Sequence, residues 1–84
     1  MSYGPIELVV LYVPKIYQEI GEVDKTIEVV VGKPSWAAGY GFGQRDICFN
    51  FDHRHEATEA QRRVLEMTDV FEMQTSINER ELLP

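Results

Sequence analysis

The sequence predicts a two-layer α+β sandwich, with one amphipathic helix over a four-stranded, mostly antiparallel sheet. Three observations carry this. Several short segments are rich in β-branched and aromatic residues or alternate apolar with polar ones, which is strand chemistry. One segment, 55–68, repeats apolar residues at helical spacing and sets its charges on the opposite side. And with 84 residues a single domain has room for one core layer and no more.

Residues 6–13 (IELVVLYV) read as the first strand and stop at Pro14. Both parities are apolar, Ile6, Leu8, Val10 and Tyr12 on one and Val9, Leu11 and Val13 on the other, as in a central strand covered on both faces. Residues 14–24 place Ile16, Tyr17 and Ile20 on one helical turn, which Gly21 interrupts. They read as an ordered excursion with an acidic cluster of Glu19, Glu22 and Asp24. Residues 25–31 (KTIEVVV) read as a second strand, with Ile27, Val29 and Val31 on one face. Residues 32–44 read as a long loop, and loops of that length in small domains are usually functional or mobile.

Residues 45–51 alternate most cleanly. Ile47, Phe49 and Phe51 face one way, and Asp46, Cys48, Asn50 and Asp52 the other. In the helix over 55–68, Ala57, Ala60, Gln61, Val64, Leu65 and Thr68 form the inner stripe. Glu56, Glu59, Arg62, Arg63 and Glu66 form the solvated face, with Glu59 and Arg63 at i,i+4 and Asp52 as the expected cap. Residues 69–77 read as the fourth strand, with Phe71, Met73 and Ile77 inward and Glu72, Gln74 and Ser76 outward. Residues 78–84 read as a short acidic tail that frays.

The resulting order, β-β-β-α-β, has a ferredoxin-like flavour that lacks the usual first helix unless residues 15–21 supply one. One helix covers one sheet face. The other, with Val9, Leu11, Val13, Cys48 and Val30, would be an apolar patch covered either by the long loop or by a second chain, which points to a homodimer or a partner interface.

Charge and composition exclude more than they identify. Fourteen acidic against eight basic residues give a net charge of −6. Nucleic-acid binders draw much of their affinity from a basic face, so direct nucleic-acid binding is disfavoured. An acidic surface favours basic partners instead. The single cysteine, Cys48, excludes an internal disulfide. No basic leader and no apolar run long enough to span a bilayer is visible, so a cytoplasmic protein is expected.

Chemistry-bearing residues concentrate between 36 and 56. Gly39, Gly41 and Gly43 alternate with Tyr40 and Phe42, bracketed by Lys33 and Arg45. Such a loop could cradle a nucleotide or another anion, but it feeds a strand rather than a helix and matches neither phosphate-loop pattern. Without a ligand, its aromatics pack on the sheet or contact a partner. Asp52, His53, Arg54, His55 and Glu56 follow, and His53 and His55 with Asp46 are the alternative metal ligands. Polar residues are needed at that strand–helix junction anyway. Cys48 lies too far along an extended strand from either histidine to be activated by one, and reads as a packing residue.

No motif carries a named family. In size, acidity and lack of a catalytic signature the chain looks like the small phage-encoded inhibitors, such as anti-CRISPR proteins, on those properties and no shared residue. That likeness implies a non-enzymatic protein-binding module that occludes a basic surface of a larger protein, in a host cytoplasm, with no cofactor. Trp36, Tyr40 and Phe42 would be its anchors, and Glu19, Glu22 and Asp24 would steer association. The alternatives are a dimeric small-ligand sensor or sponge built on the glycine loop, with Lys33, Gly39, Gly41, Gly43 and Arg45 as ligand contacts, and a small enzyme or metal protein built on Asp46, His53 and His55.

Overall fold

A computed structural model describes residues 4–14, 20–67 and 73–79. They form an α+β fold in the order β1 (Ile6–Tyr12), α1 (Ile20–Val31), β2 (Ala37–Gly41), β3 (Gln44–Phe51), α2 (Arg54–Leu65) and β4 (Met73–Glu79). The sheet is antiparallel throughout and runs β2-β3-β1-β4, so β1 and β3 are central and β2 and β4 are edges.

β1 buries Ile6, Leu8, Val10 and Tyr12 on one face and leaves Glu7, Val9 and Leu11 half-buried on the other. β3 aligns with it, Leu8 opposite Phe49 and Val10 opposite Ile47, so the inward parities of both strands meet in one core. Both helices pack on that face, α1 through Val23, Ile27 and Val31 and α2 through Ala57, Ala60 and Val64. Gly4 enters the fold tightly: a Cβ there would fall 2.0 Å from the Phe51 carbonyl oxygen, so only glycine fits.

Residues 20–31 correct the sequence reading: they form a helix, not an excursion and a strand, and the fold has two helices rather than one. Seven β-branched residues in this segment argue for a strand. The buried set is Ile20, Val23, Ile27 and Val31, a helical spacing, while Val29 is 79% exposed. Burying that stripe on the sheet overrides a propensity difference of a few tenths of a kcal/mol per residue. Val30 packs against the core from this helix and is not part of the second sheet face. Gly32, at φ +91°, ends the helix, and the Gly32 and Lys33 amides donate to the Glu28 carbonyl at 2.8 and 3.2 Å.

The expected loop over 32–44 is also corrected. It contains β2, which extends the sheet along β3 instead of folding across its second face. Its turn is Phe42 and Gly43, both at positive φ (54° and 76°), the backbone of a tight hairpin whose twist matches the strands. Ala37–Gly41 has poor strand propensity, and the exposed edge of β3 recruits it.

α2 falls close to its expected place. Its first-turn amides are not capped by Asp52: the N-cap is His53, which makes no side-chain capping bond. Leu65 of the expected inner stripe is 45% exposed, and Gln61 Nε2 donates to Thr75 Oγ1 of β4 at 2.9 Å. Glu59 sits between Arg62 and Arg63, at 2.5 and 3.7 Å. Met73 and Ile77 of β4 pack against the core as expected. Asn78 and Glu79, expected in a frayed tail, instead close β4, paired with Glu7 and Ile6 of β1. Residues 15–19, 68–72 (with Thr68, Phe71 and Glu72) and 80–84 lie outside the described residues.

Candidate functional site: the β2–β3 hairpin

The β2–β3 hairpin gathers most of the aromatic and glycine residues singled out in the sequence. Trp36, Tyr40 and Phe42 are 45%, 48% and 108% exposed. The Trp36 amide donates to the Cys48 carbonyl at 3.0 Å, which ties the entry of β2 to β3. The preceding turn is pinned by Glu28, whose carboxylate accepts hydrogen bonds from the Ser35 amide and hydroxyl at 2.8 and 2.9 Å. The hairpin is thus held at its entry, while its tip projects Phe42 into solvent.

Its base is clamped from the helix layer. Arg45 lies opposite both Tyr40 and Tyr12 in the sheet. Asp24 of α1 accepts hydrogen bonds from Arg45 Nε at 3.0 Å, Arg45 Nη2 at 2.6 Å and the Tyr12 hydroxyl at 2.7 Å. The Asp24 and Arg45 side chains are 17% and 20% exposed. Burial, and then the Asp24 carboxylate, pushes the Tyr12 phenol well above its ordinary value. Hydrogen bonding to Asp24 likewise holds the Arg45 guanidinium above its usual value. Asp24 is therefore committed to the fold and is not an open member of an acidic patch. Glu22 is exposed in the first turn of α1, and Glu19 lies outside the described residues.

The residues of the small-ligand reading are not brought together. Arg45 is at the turn end of β3. Lys33 is at the other end, its Nζ donating to the Asn50 carbonyl and lying 4.6 Å from the centroid of the Phe51 ring. Five residues of extended strand separate the two attachment points, roughly 17 Å. Gly39, Gly41 and Gly43 lie along β2 and its turn, so no pocket converges on Lys33 and Arg45 together. A groove of about 320 Å³ does open beside Lys33, between the end of α1 and the start of α2, and His55, Glu56, Glu59 and Arg63 line it with Phe51. Its charges are mixed, two cations against two carboxylates, which selects no one ligand charge.

The metal reading fares similarly. His53 and His55 stack with centroids 5.5 Å apart, whereas Asp46 belongs to the outward parity of β3 near the turn. Among the described residues no three His, Cys, Asp or Glu side chains come together as a metal site. Cys48 is half-buried on the face away from the helices, opposite Val9 and Ala37.

The second sheet face is not the broad apolar patch expected from the sequence. Val9 and Leu11 are half-buried and have Ser76 and Gln74 as neighbours on β4, and Cys48 and Asp46 on β3. No helix among the described residues covers this face. Sequence reasoning missed two features: the edge strand itself, and the position of Asp46 beside Gly39. A Cβ built on Gly39 would lie 3.1 Å from Asp46 Oδ1, so the carboxylate leans over the glycine toward the edge. The signal was present as Gly39 set among alternating residues three positions before the Phe42–Gly43 turn.

No known protein family matches the chain, and no curated protein is similar to it in sequence. No helix among the described residues is long and apolar enough to cross a membrane.

Proposed function

We propose that this chain is a small, non-enzymatic protein-binding module whose β2–β3 hairpin engages and occludes a basic surface of a larger protein. The observation that carries the reading is Phe42, fully exposed at a positive φ on the hairpin tip. A bulky residue in the left-handed region is strained by about 1 kcal/mol or more, and its exposed ring gains nothing from burial in the monomer. Asn or Gly would serve the turn better. Phe at that position is explained by a contact outside the chain, with Trp36 and Tyr40 beside it as the aromatic anchors that concentrate interface energy.

The net charge of −6 supports a basic partner. The β-α-β-β-α-β order and all-antiparallel sheet support reading the fold as ferredoxin-like, a scaffold that does not itself specify a function. An inhibitor of the anti-CRISPR type, acting in a host cytoplasm, is the concrete form of this reading.

The test is kinetic. Immobilised protein is exposed to lysate, the captured protein is identified and purified, and its dissociation is timed at low and high salt. Trp36→Ala and Phe42→Ala are expected to speed dissociation at least tenfold, and added salt to slow association. A partner whose rates ignore both aromatic changes and salt overturns the proposal.

A further inference from the structure

We infer that the partner contributes an extended segment that adds to the sheet beside β2, with a Lys or Arg opposite Gly39 whose charge is met by Asp46. This rests on the protein-binding reading and names the chemistry of its partner.

The first support is the edge. β2 is the outermost strand of the sheet, and no strand among the described residues lies beyond it. Soluble proteins ordinarily guard such edges with charge, proline or a covering element. Ala37–Gly41 (AAGYG) has no charge and no proline. The other edge strand, β4, carries Glu79, ion-paired with Arg54 of α2 at 3.2 Å. The two-residue turn makes Gly41 and Gln44 the hydrogen-bonded pair, and strict alternation then directs the backbone N–H and C=O of Ala38 away from β3. An incoming strand would bond there, as in strand-addition complexes.

The second support is the carboxylate. Gly39 lies opposite Asp46 in the register, and its missing side chain leaves the carboxylate leaning over the β2 backbone. Asp46 has no salt-bridge partner within 4.0 Å among the described residues. A residue opposite Gly39 on an added strand stands two strand spacings from Asp46, about 10 Å between Cα atoms. A Lys or Arg stem crossing the bare glycine, together with the Asp side chain, spans that distance.

The same geometry argues against a second copy as occupant. Symmetric pairing about Gly39 would set Phe42 opposite Trp36 of the second copy, but would also aim two Asp46 carboxylates at one gap. Like charges facing each other across strands are destabilising.

The experiment is a titration of the ¹⁵N-labelled full chain with two capped heptapeptides of alternating Thr and Val, one with a central Lys and one with a central Glu. The Lys peptide is expected to shift and protect the Ala38 amide, and to bind about fivefold tighter than the Glu peptide. Asp46→Asn should erase that preference and Asp46→Lys invert it, with circular dichroism confirming both variants folded. Equal binding of the two peptides, a preference that survives Asp46→Asn, or shifts confined to the α1–α2 groove would overturn the inference. So would a wild-type dimer in sedimentation with Ala38 already protected, which would assign the edge to a second copy. If Asp46→Lys leaves an identified partner bound while Trp36→Ala releases it, strand addition fails and the protein-binding reading stands.

Discussion

Asp24→Asn isolates the contact that joins α1 to the hairpin. The substitution keeps the size of the side chain and removes its charge. Asp24 accepts two hydrogen bonds from Arg45 and one from Tyr12. Hydrogen bonds to a charged group contribute about 1.5–3 kcal/mol, and removing one member of a fully buried ion pair costs about 3–5 kcal/mol. Here the two side chains retain 17% and 20% exposure, so water screens part of the loss. An Asn oxygen can still accept the Tyr12 hydroxyl. The expected cost is therefore about 2 kcal/mol, or a fall in Tm of about 8–16 °C for a domain of this size. Urea unfolding followed by circular dichroism measures it. A double-mutant cycle with Arg45→Gln should then return a coupling of about 1–2 kcal/mol. A loss below about 0.5 kcal/mol, or an additive cycle, would refute the argument that this carboxylate locks the first helix to the hairpin base.

Other outcomes follow from the same geometry. Ile27, fully buried, and Val29, 79% exposed, separate the helical from the strand reading of their segment. Ile27→Ala should cost about 2–4 kcal/mol and Val29→Ala less than about 0.5 kcal/mol, whereas equal losses by denaturant titration would restore the strand. Phe42→Asn should stabilise the free protein by about 0.5–1 kcal/mol by relieving the left-handed backbone, while weakening partner binding; a destabilised variant would show that Phe42 packs within its own chain. Because the Tyr12 phenol is raised in the folded state, the unfolded chain loses its proton first. Its contribution is fully present below about pH 10 and is lost as pH climbs toward the folded value, so stability should fall with alkaline pH more steeply in the wild type than in Tyr12→Phe.

Two parts of this protein were legible in its sequence because they depend on local periodicity. β1 is a β-branched apolar run that ends at a proline and β3 alternates apolar with polar residues, so both read as strands, and α2 repeats its small apolar residues at the helical period. Residues 20–31 and 37–41 were not legible, for one shared reason. IEVVV and AAGYG each have a local preference that points away from the structure they adopt. The sheet surface rewards a helical stripe of Ile20, Val23, Ile27 and Val31, and the open edge of β3 supplies the hydrogen bonds that a glycine-rich strand cannot earn by propensity. The candidate site divides the same way. The aromatics and the acidity could be read residue by residue, and the proposed protein-binding function starts from them. That Asp24 is tied up with Arg45, that Lys33 and Arg45 point to opposite ends of β3, and that Asp46 overhangs Gly39 are cross-strand and helix–sheet relations. They exist only once residues far apart in the chain are packed together, so only the tertiary structure could decide them.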